Sequence, residues 1–253
     1  MPVSLKELEN DLIKLLKPEQ FNDYCPNGLQ VEGRDQISTI VSGVTACKAL
    51  IEAAAEQGAD ALLVHHGYFW RGEDQSITGI KKARIECLLE NGMSLFAYHL
   101  PLDAHSELGN NVQLASKLGF EIRGELGKQN NHPIGLTGTP GKPTSFSSLT
   151  QLLTDVLDRE PLAVEGRSKE IKSIAWCTGA AQNYIGLAVA AGVDAYITGE
   201  VSEPTIHIAR ESGMHFFSAG HHATERYGVQ ALGDYLAKRF ELDHQFIDID
   251  NPV

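Results

Sequence analysis

One stretch of pattern is written twice in this chain, and that constrains the fold more than any other feature. Ile37-Ser38-Thr39-Ile40 matches Ile171-Lys172-Ser173-Ile174, Ile51 matches Ile185, and Gly58-Ala59-Asp60-Ala61 matches Gly192-Val193-Asp194-Ala195; each second member lies 134 positions after the first. After a shortened connection the echo resumes, with Asn91-Gly92-Met93-Ser94-Leu95-Phe96 resembling Ser212-Gly213-Met214-His215-Phe216-Phe217. A fixed offset is the mark of a duplicated unit. The competing reading is that any two strand–helix–strand units look alike, since Gly-x-Asp-Ala is a common join between helix and strand.

The unit itself reads as α/β. Residues 37–44 read as a strand, 46–57 as a helix ending on Gly58, and 61–64 as a short buried strand. A helix at 80–90 stops at Asn91-Gly92, a third strand covers 94–98 and another helix 110–118. Such alternation predicts a parallel sheet flanked by helices. Ahead of it, Leu5, Leu8, Leu12, Leu15 and Leu16 have helical spacing, with Ser4 and Glu7 forming a capping box and Pro18 ending the helix. Pro26-Asn27-Gly28 marks a turn, and Leu29 and Val31 suggest a short alternating strand. Between 121 and 145 Gly, Pro, Asn and Thr dominate, which predicts a hairpin and a domain junction before a helix at 147–157.

A length of 253 residues is enough for one large or two modest domains, each with its own core. The net charge of −12 disfavours nonspecific binding to nucleic acid or to an anionic membrane. It leaves open a nucleotide held in a pocket by metal. Cys25, Cys47, Cys87 and Cys177 form no CxxC pair, so a cysteine-rich zinc site is not expected. Cys177 follows an apolar strand and reads as a buried structural thiol before it reads as a nucleophile. The first ten residues are helical and charged rather than a signal peptide, and no apolar run reaches the ~20 residues of a membrane span. A soluble, reduced, cytoplasmic protein is expected. There is no GxxxxGK[ST] loop, no GxSxG elbow and no GxGxxG between strand and helix.

Polar residues gather where strands end, which is where ligands bind in open α/β sheets. Ala61-Leu62-Leu63-Val64 runs into His65-His66-Gly67, and the next strand into His99-Leu100-Pro101-Leu102-Asp103. The second copy gives Gly199-Glu200 and then Gly220-His221-His222-Ala223-Thr224-Glu225. His221 and Glu225 are four apart, so a helix starting there would put both on one face. His65, His66, Asp103, His221 and Glu225 offer three imidazoles and two carboxylates, more than one four-coordinate ion uses. A carboxylate can bridge, and the count favours a dinuclear site. His99 fits a ligand, a proton carrier or a support for a ligand, the last best; His222 points away from His221 on a helix; Glu200 reads as structural. His105, His132, His207, His215 and His244 read as ordinary surface or core residues.

Asn27-Gly28-Leu29-Gln30-Val31-Glu32-Gly33, Val64-His65-His66-Gly67, His99-Leu100-Pro101-Leu102-Asp103, Thr198-Gly199-Glu200 and Gly220-His221-His222-Ala223-Thr224-Glu225 together resemble the GTP cyclohydrolase 1 type 2 homolog family, also called NGG-interacting-factor-like, in its short bacterial form. The resemblance implies two interlaced α/β domains, here residues 1–125 with 215–253 and residues 126–214, in a toroidal homohexamer. It implies two divalent ions held by His65, His66, Asp103, His221 and Glu225, with Glu225 bridging. The name implies GTP cyclohydrolase chemistry, and a link to damaged nucleotides or to metal delivery is also associated with the family.

Three functions are therefore weighed. The first is a metal-dependent hydrolase of a nucleotide, with GTP opened at C8 and formate released, and with His99 or His222 shuttling the proton. The second is a metal chaperone, storage or regulatory ring without turnover, since no guanine-reading or triphosphate-binding motif is present. The third is an interaction scaffold with a vestigial site. Nitrogen and oxygen donors leave zinc, iron, manganese and nickel equally open.

Overall fold

The computed structural model describes residues 2–129 and 132–253. It has the α/β class read from the sequence and divides into two compact units. The first runs through Leu108 and takes in Gly228–Asp250; the second is Gly109–Tyr227 with Asn251–Val253.

In the first unit a five-stranded sheet has the order Asp243–Phe246, Thr39–Thr45, Ala61–His66, Ser94–Ala97, Gly28–Val31. The first four strands are parallel and the last is antiparallel to its neighbour. Successive side chains of a strand leave on opposite faces, and both faces are covered here. Leu62, Val64 and Leu95 pack with Leu50, Ile51, Ile85 and Leu88 from the helices Lys48–Glu56 and Gly79–Glu90. Leu63 and Phe96 pack with Leu8 and Leu12 of the helix Leu5–Leu16 and with Val229, Leu232 and Leu236. Ser4 caps the helix as expected, with its Oγ accepting from the Glu7 amide at 3.2 Å, the N-cap half of the expected capping box. The strand expected at 61–64 runs on through both histidines, because the Thr39–Thr45 ladder continues to a Thr45–His66 pair.

In the second unit a six-stranded sheet has the order Glu121–Gln129, His132–Thr139, Ile174–Cys177, Ala195–Thr198, His215–Ser218, Leu162–Val164. The pairs among Ile174–Cys177, Ala195–Thr198 and His215–Ser218 are parallel and the flanking pairs antiparallel. Trp176, Ile197 and Phe217 pack with Leu149, Leu153 and Leu157 of the helix Phe146–Leu157. Tyr196 and Phe216 pack with Ile185, Ala188 and Ala209 on the other face.

The repeat is physical. Thr39–Thr45, Ala61–His66, Ser94–Ala97 and Gly28–Val31 stand in the same order and directions as Ile174–Cys177, Ala195–Thr198, His215–Ser218 and Leu162–Val164. Asp60 accepts from the amides of Ser38 and Thr39, and Asp194, its match, from those of Lys172 and Ser173. The structure also exposes an echo that the 134-residue offset hides: Val31-Glu32-Gly33-Arg34 and Val164-Glu165-Gly166-Arg167. The amides of Arg34 and Arg167 donate to the carbonyls of Gly92 and Gly213.

The unit boundaries differ from those drawn at 125/126 and 214/215. The helix Asn110–Leu118 buries Leu114, Ala115 and Leu118 in the Trp176 core, and His215–Ser218 pairs on both sides within the second sheet. Residues 109–125 and 215–227 therefore belong to the second unit. Among the described residues no helix is long and apolar enough to cross a membrane, and the four cysteines form no disulfide.

Candidate metal centre

In the first unit, the ends of two adjacent parallel strands bring His65, His66 and His99 together. A ring nitrogen of each lies within 4.8 Å of one from the other two. Ring centroids are 4.6 Å apart for His65 and His66, and 5.1 Å for His65 and His99. His65 is fully buried, and its Nδ1 donates to the Tyr98 carbonyl at 2.9 Å. That fixes the lone pair of the neutral ring on Nε2, which lies 3.5 Å from Asp103 Oδ1. Thr45 Oγ1 is 3.1 Å from His66 Nδ1. His65, His66 and Asp103 are thus assembled as the sequence led one to expect, and His99 joins them.

An aromatic loop borders this set. Trp70 stands edge-on to His99 at 5.1 Å and is 5.9 Å from His66. It is reached through Phe69, whose φ of 65° is rare for a bulky residue. The loop is held by Lys81, 5.1 Å above the Phe69 ring and 3.3 Å from Glu73, and by Glu73 accepting from the Trp70 amide.

Behind His99 lies Asp23, a residue the sequence reading passed over. Its side chain is 3% exposed, and Oδ1 accepts from His99 Nδ1 at 2.7 Å. Burial raises its pKa, but hydrogen bonds led by His99, with Asn27 and the Tyr24 amide, outweigh that and hold the carboxyl below the usual range. The neighbouring Cys25 thiol is pushed up to about 12 by burial and by Asp23, so it is not a ready thiolate.

In the second unit, the short helix His221–Thr224 follows the strand His215–Ser218, and Glu225 caps it. His221 Nε2 is 3.1 Å from Glu225 Oε2, so the expected pair forms. His221 Nδ1 donates to Glu200 Oε1 at 2.7 Å. Glu200 is therefore not merely structural, as the sequence had suggested. A signal was present: 134 residues separate it from His66, so it stands at the matching strand end. Burial opposes charge on His221, yet Glu225 and Glu200 prevail and raise its pKa to about 9. Two carboxylates converging on one imidazole make a place that favours a cation.

Glycine shapes this half-set. Gly179 has a φ of 68°, its amide donates to Thr224 Oγ1 and its carbonyl accepts from Thr198 Oγ1. A Cβ there would fall inside contact distance of Glu225 Oε1 and 3.3 Å from His221 Nε2. The missing side chain is thus a cradle for the buried carboxylate. His222 stands outside the pair: it is half-buried, and its amide donates to the Val253 carbonyl. Cys177 is buried with Sγ 3.0 Å from the Ile134 carbonyl, and His215 is fully buried, accepting from the Gly166 amide at 2.9 Å, so both are core residues as expected.

The donor set fits divalent ions such as zinc, iron, manganese or nickel. It offers imidazole nitrogens, with the tautomer set for His65 by the Tyr98 carbonyl and for His221 by the Glu200 carboxylate, and carboxylates among them, and no thiolate.

Known proteins bear out the family read from the motifs. The family described as Duf34/NIF3 (NGG1p interacting factor 3) matches residues 3–252. A Pseudomonas aeruginosa protein named GTP cyclohydrolase 1 type 2 homolog is 56% identical over 253 residues, covering 100% of both chains. A solved structure described as protein ybgI, of unknown function, superposes with a TM-score of 0.95 at 47% identity, covering 99% of this chain and 100% of that one. Protein TTHA1606 from Thermus thermophilus does so at 0.89 and 32%, with the same coverage.

Proposed function

We propose that this chain, which belongs to the Duf34/NIF3 (NGG1p interacting factor 3) family, is a hydrolase of a nucleotide or related compound that works with two divalent ions held by His65, His66, Asp103, His221 and Glu225. One observation carries the reading. Each of the three imidazoles has its Nδ1 against an oxygen: the Tyr98 carbonyl, the Thr45 hydroxyl and the Glu200 carboxylate. Metal-ligating histidines are held in this way, with the other ring nitrogen kept for the ion.

Bound ions would supply Lewis acidity, acidifying water and polarising a carbonyl or phosphoryl group. The chain's own residues do the rest. Tyr98, Thr45 and Glu200 aim the imidazoles. Glu225, buried and seated against Gly179, is the carboxylate suited to bridging. His99 is the proton carrier in preference to His222, because it stands among the ligands of the first unit. The relatives' name points to GTP as substrate, where water would attack C8 of the purine and formate would leave after ring opening.

The test begins with metal analysis of the native protein. The loaded protein is then screened against GTP, other nucleotides and phosphoesters, with formate and ring-opened product measured. Turnover lost in His65→Ala and Glu225→Ala is the expected result. Equal turnover in variant and native protein refutes the site. No turnover, with metal passed quickly to an acceptor, would favour a metal-handling ring instead.

A further inference from the structure

We infer that Asp23 is a positioning residue for the reaction, fixing His99 as the Nδ1–H tautomer so that Nε2 is presented as the proton acceptor beside His65 and His66. The kinetic part of this inference rests on the hydrolase reading; the tautomer does not.

The Asp23 carboxylate takes four donors. Two come from its own loop, the Tyr24 amide at 2.6 Å and Asn27 Nδ2 at 2.8 Å. Two come from the strand end that carries the site, His99 Nδ1 at 2.7 Å and the Leu100 amide at 2.9 Å. Asn27 Oδ1 completes the clamp by accepting from the His99 amide at 2.7 Å. His99 is thus pinned at backbone and ring together by the turn that Pro26-Asn27-Gly28 announced in the sequence.

An ionised carboxylate only accepts, so His99 Nδ1 must donate and the lone pair of the neutral ring falls on Nε2. Tying a loop to Leu100 would need no imidazole. An imidazole backed by a buried carboxylate, with no hydrogen-bond partner at its far nitrogen among the described residues, is an arrangement that orients a general base. Trp70, edge-on at 5.1 Å, limits ring rotation.

The step balances without an outside donor. As water adds to the electrophile, its O–H bond breaks and an Nε2–H bond forms. The imidazolium is stabilised by Asp23. The Nε2–H bond then breaks as the leaving group takes the proton.

The tautomer is read in full-length protein labelled with ¹⁵N at histidine, metal-free and with Zn²⁺, using ring ¹H–¹⁵N correlations assigned with His99→Gln. Native His99 is expected to be protonated at Nδ1 and bare at Nε2. An Nε2–H ring overturns the inference, and this measurement needs no Asp23 variant to fold. In Asp23→Asn an amide NH₂ competes for the place facing Nδ1, so the ring shifts toward the Nε2–H form while zinc stoichiometry is retained. An unshifted tautomer in that variant also overturns it.

Where a substrate turns over, Asp23→Asn and His99→Gln each lower kcat on the order of 100-fold, with KM within about twofold. The double variant falls no further than His99→Gln alone. Losses that multiply would show Asp23 acting elsewhere and would overturn the inference. If the loaded protein turns over nothing, the hydrolase reading fails while the tautomer still decides the Asp23–His99 pairing.

Discussion

Gly179→Ala should weaken metal binding at the proposed site about 100-fold or more without removing a single proposed ligand. Two costs are involved, and a second glycine separates them. At a φ of 68° an alanine pays for left-handed backbone, about 1–2 kcal/mol. The added Cβ also meets Glu225, sitting 3.0 Å from Cδ and closer still to Oε1. Glu225 is 3% exposed and its other oxygen lies 3.1 Å from His221 Nε2, so it has little room to swing away. To regain ordinary contact Oε1 must retreat from the added Cβ by roughly 1.4 Å or more, whereas metal–ligand distances hold to about 0.2 Å. Loss of a supporting group alone weakens metal sites about 10–100-fold. Displacing a ligand should reach the upper end or beyond, about 2.8 kcal/mol or more. Gly192 has a φ of 69° and open space where its Cβ would be. Gly192→Ala therefore carries the backbone cost alone. Competition titration with Zn²⁺ and thermal melts of both variants read the two terms. Both should lose stability, with Tm lower by about 2–8 °C, and only Gly179→Ala should bind zinc more weakly. Zinc bound by Gly179→Ala as tightly as by Gly192→Ala would refute the cradle.

Glu200→Ala, which frees His221 Nδ1 from its 2.7 Å partner, should weaken zinc binding about 10–100-fold in the same titration. Asp23 is held below its ordinary pKa of 3.8 in the folded chain. Its contribution is therefore complete above the unfolded pKa and lost as pH falls through the folded one. The gap in urea midpoint between native protein and Asp23→Asn should accordingly be widest near neutrality and close in acid. A Cβ on Gly33 would lie 2.6 Å from the backbone of Met93 and Ser94, and one on Gly166 2.6 Å from that of Met214 and His215. Gly33→Ala and Gly166→Ala should thus each cost about 1–3 kcal/mol or more by chemical denaturation, one matching the other. The ring assembly implied by the family resemblance predicts a light-scattering mass of six times 27.6 kDa.

The α/β class was legible because its signals are local. Leucine spacing made the first helix, Gly58 and Gly192 ended helices, and apolar quartets made strands. The clustered imidazoles were legible because His-His after an apolar run is chemically conspicuous. The unit boundaries were not, because composition marks a hairpin while membership depends on which core a side chain enters: Leu114 and Leu118 pack around Trp176, far along the chain. Asp23 and Glu200 were missed for a related reason. A lone carboxylate carries no periodicity, and its role appears only when the fold sets it 2.7 Å from an imidazole. For Glu200 the offset from His66 was a usable clue, but reading it required trusting the duplication to the level of single residues.

That duplication separates the residues that build the frame from those that do the chemistry. Asp60 and Asp194 tie off the same strand join, and Gly33 and Gly166 admit the same backbone approach, so the repeated positions are those on which folding depends. The strand ends have diverged instead. Where the first copy has His66, the second has Glu200; where the later echo has Leu100, 121 positions on stands His221. In the second copy these two positions touch, carboxylate to imidazole. In the first, the corresponding ring is held by the Thr45 hydroxyl, and the buried carboxylate comes from the Asp23 loop, bound to His99. The same frame therefore supports an imidazole by two routes. Exchange of side chains at the strand ends is tolerated because they bear little of the core, which is how one scaffold written twice supplies two different donor sets.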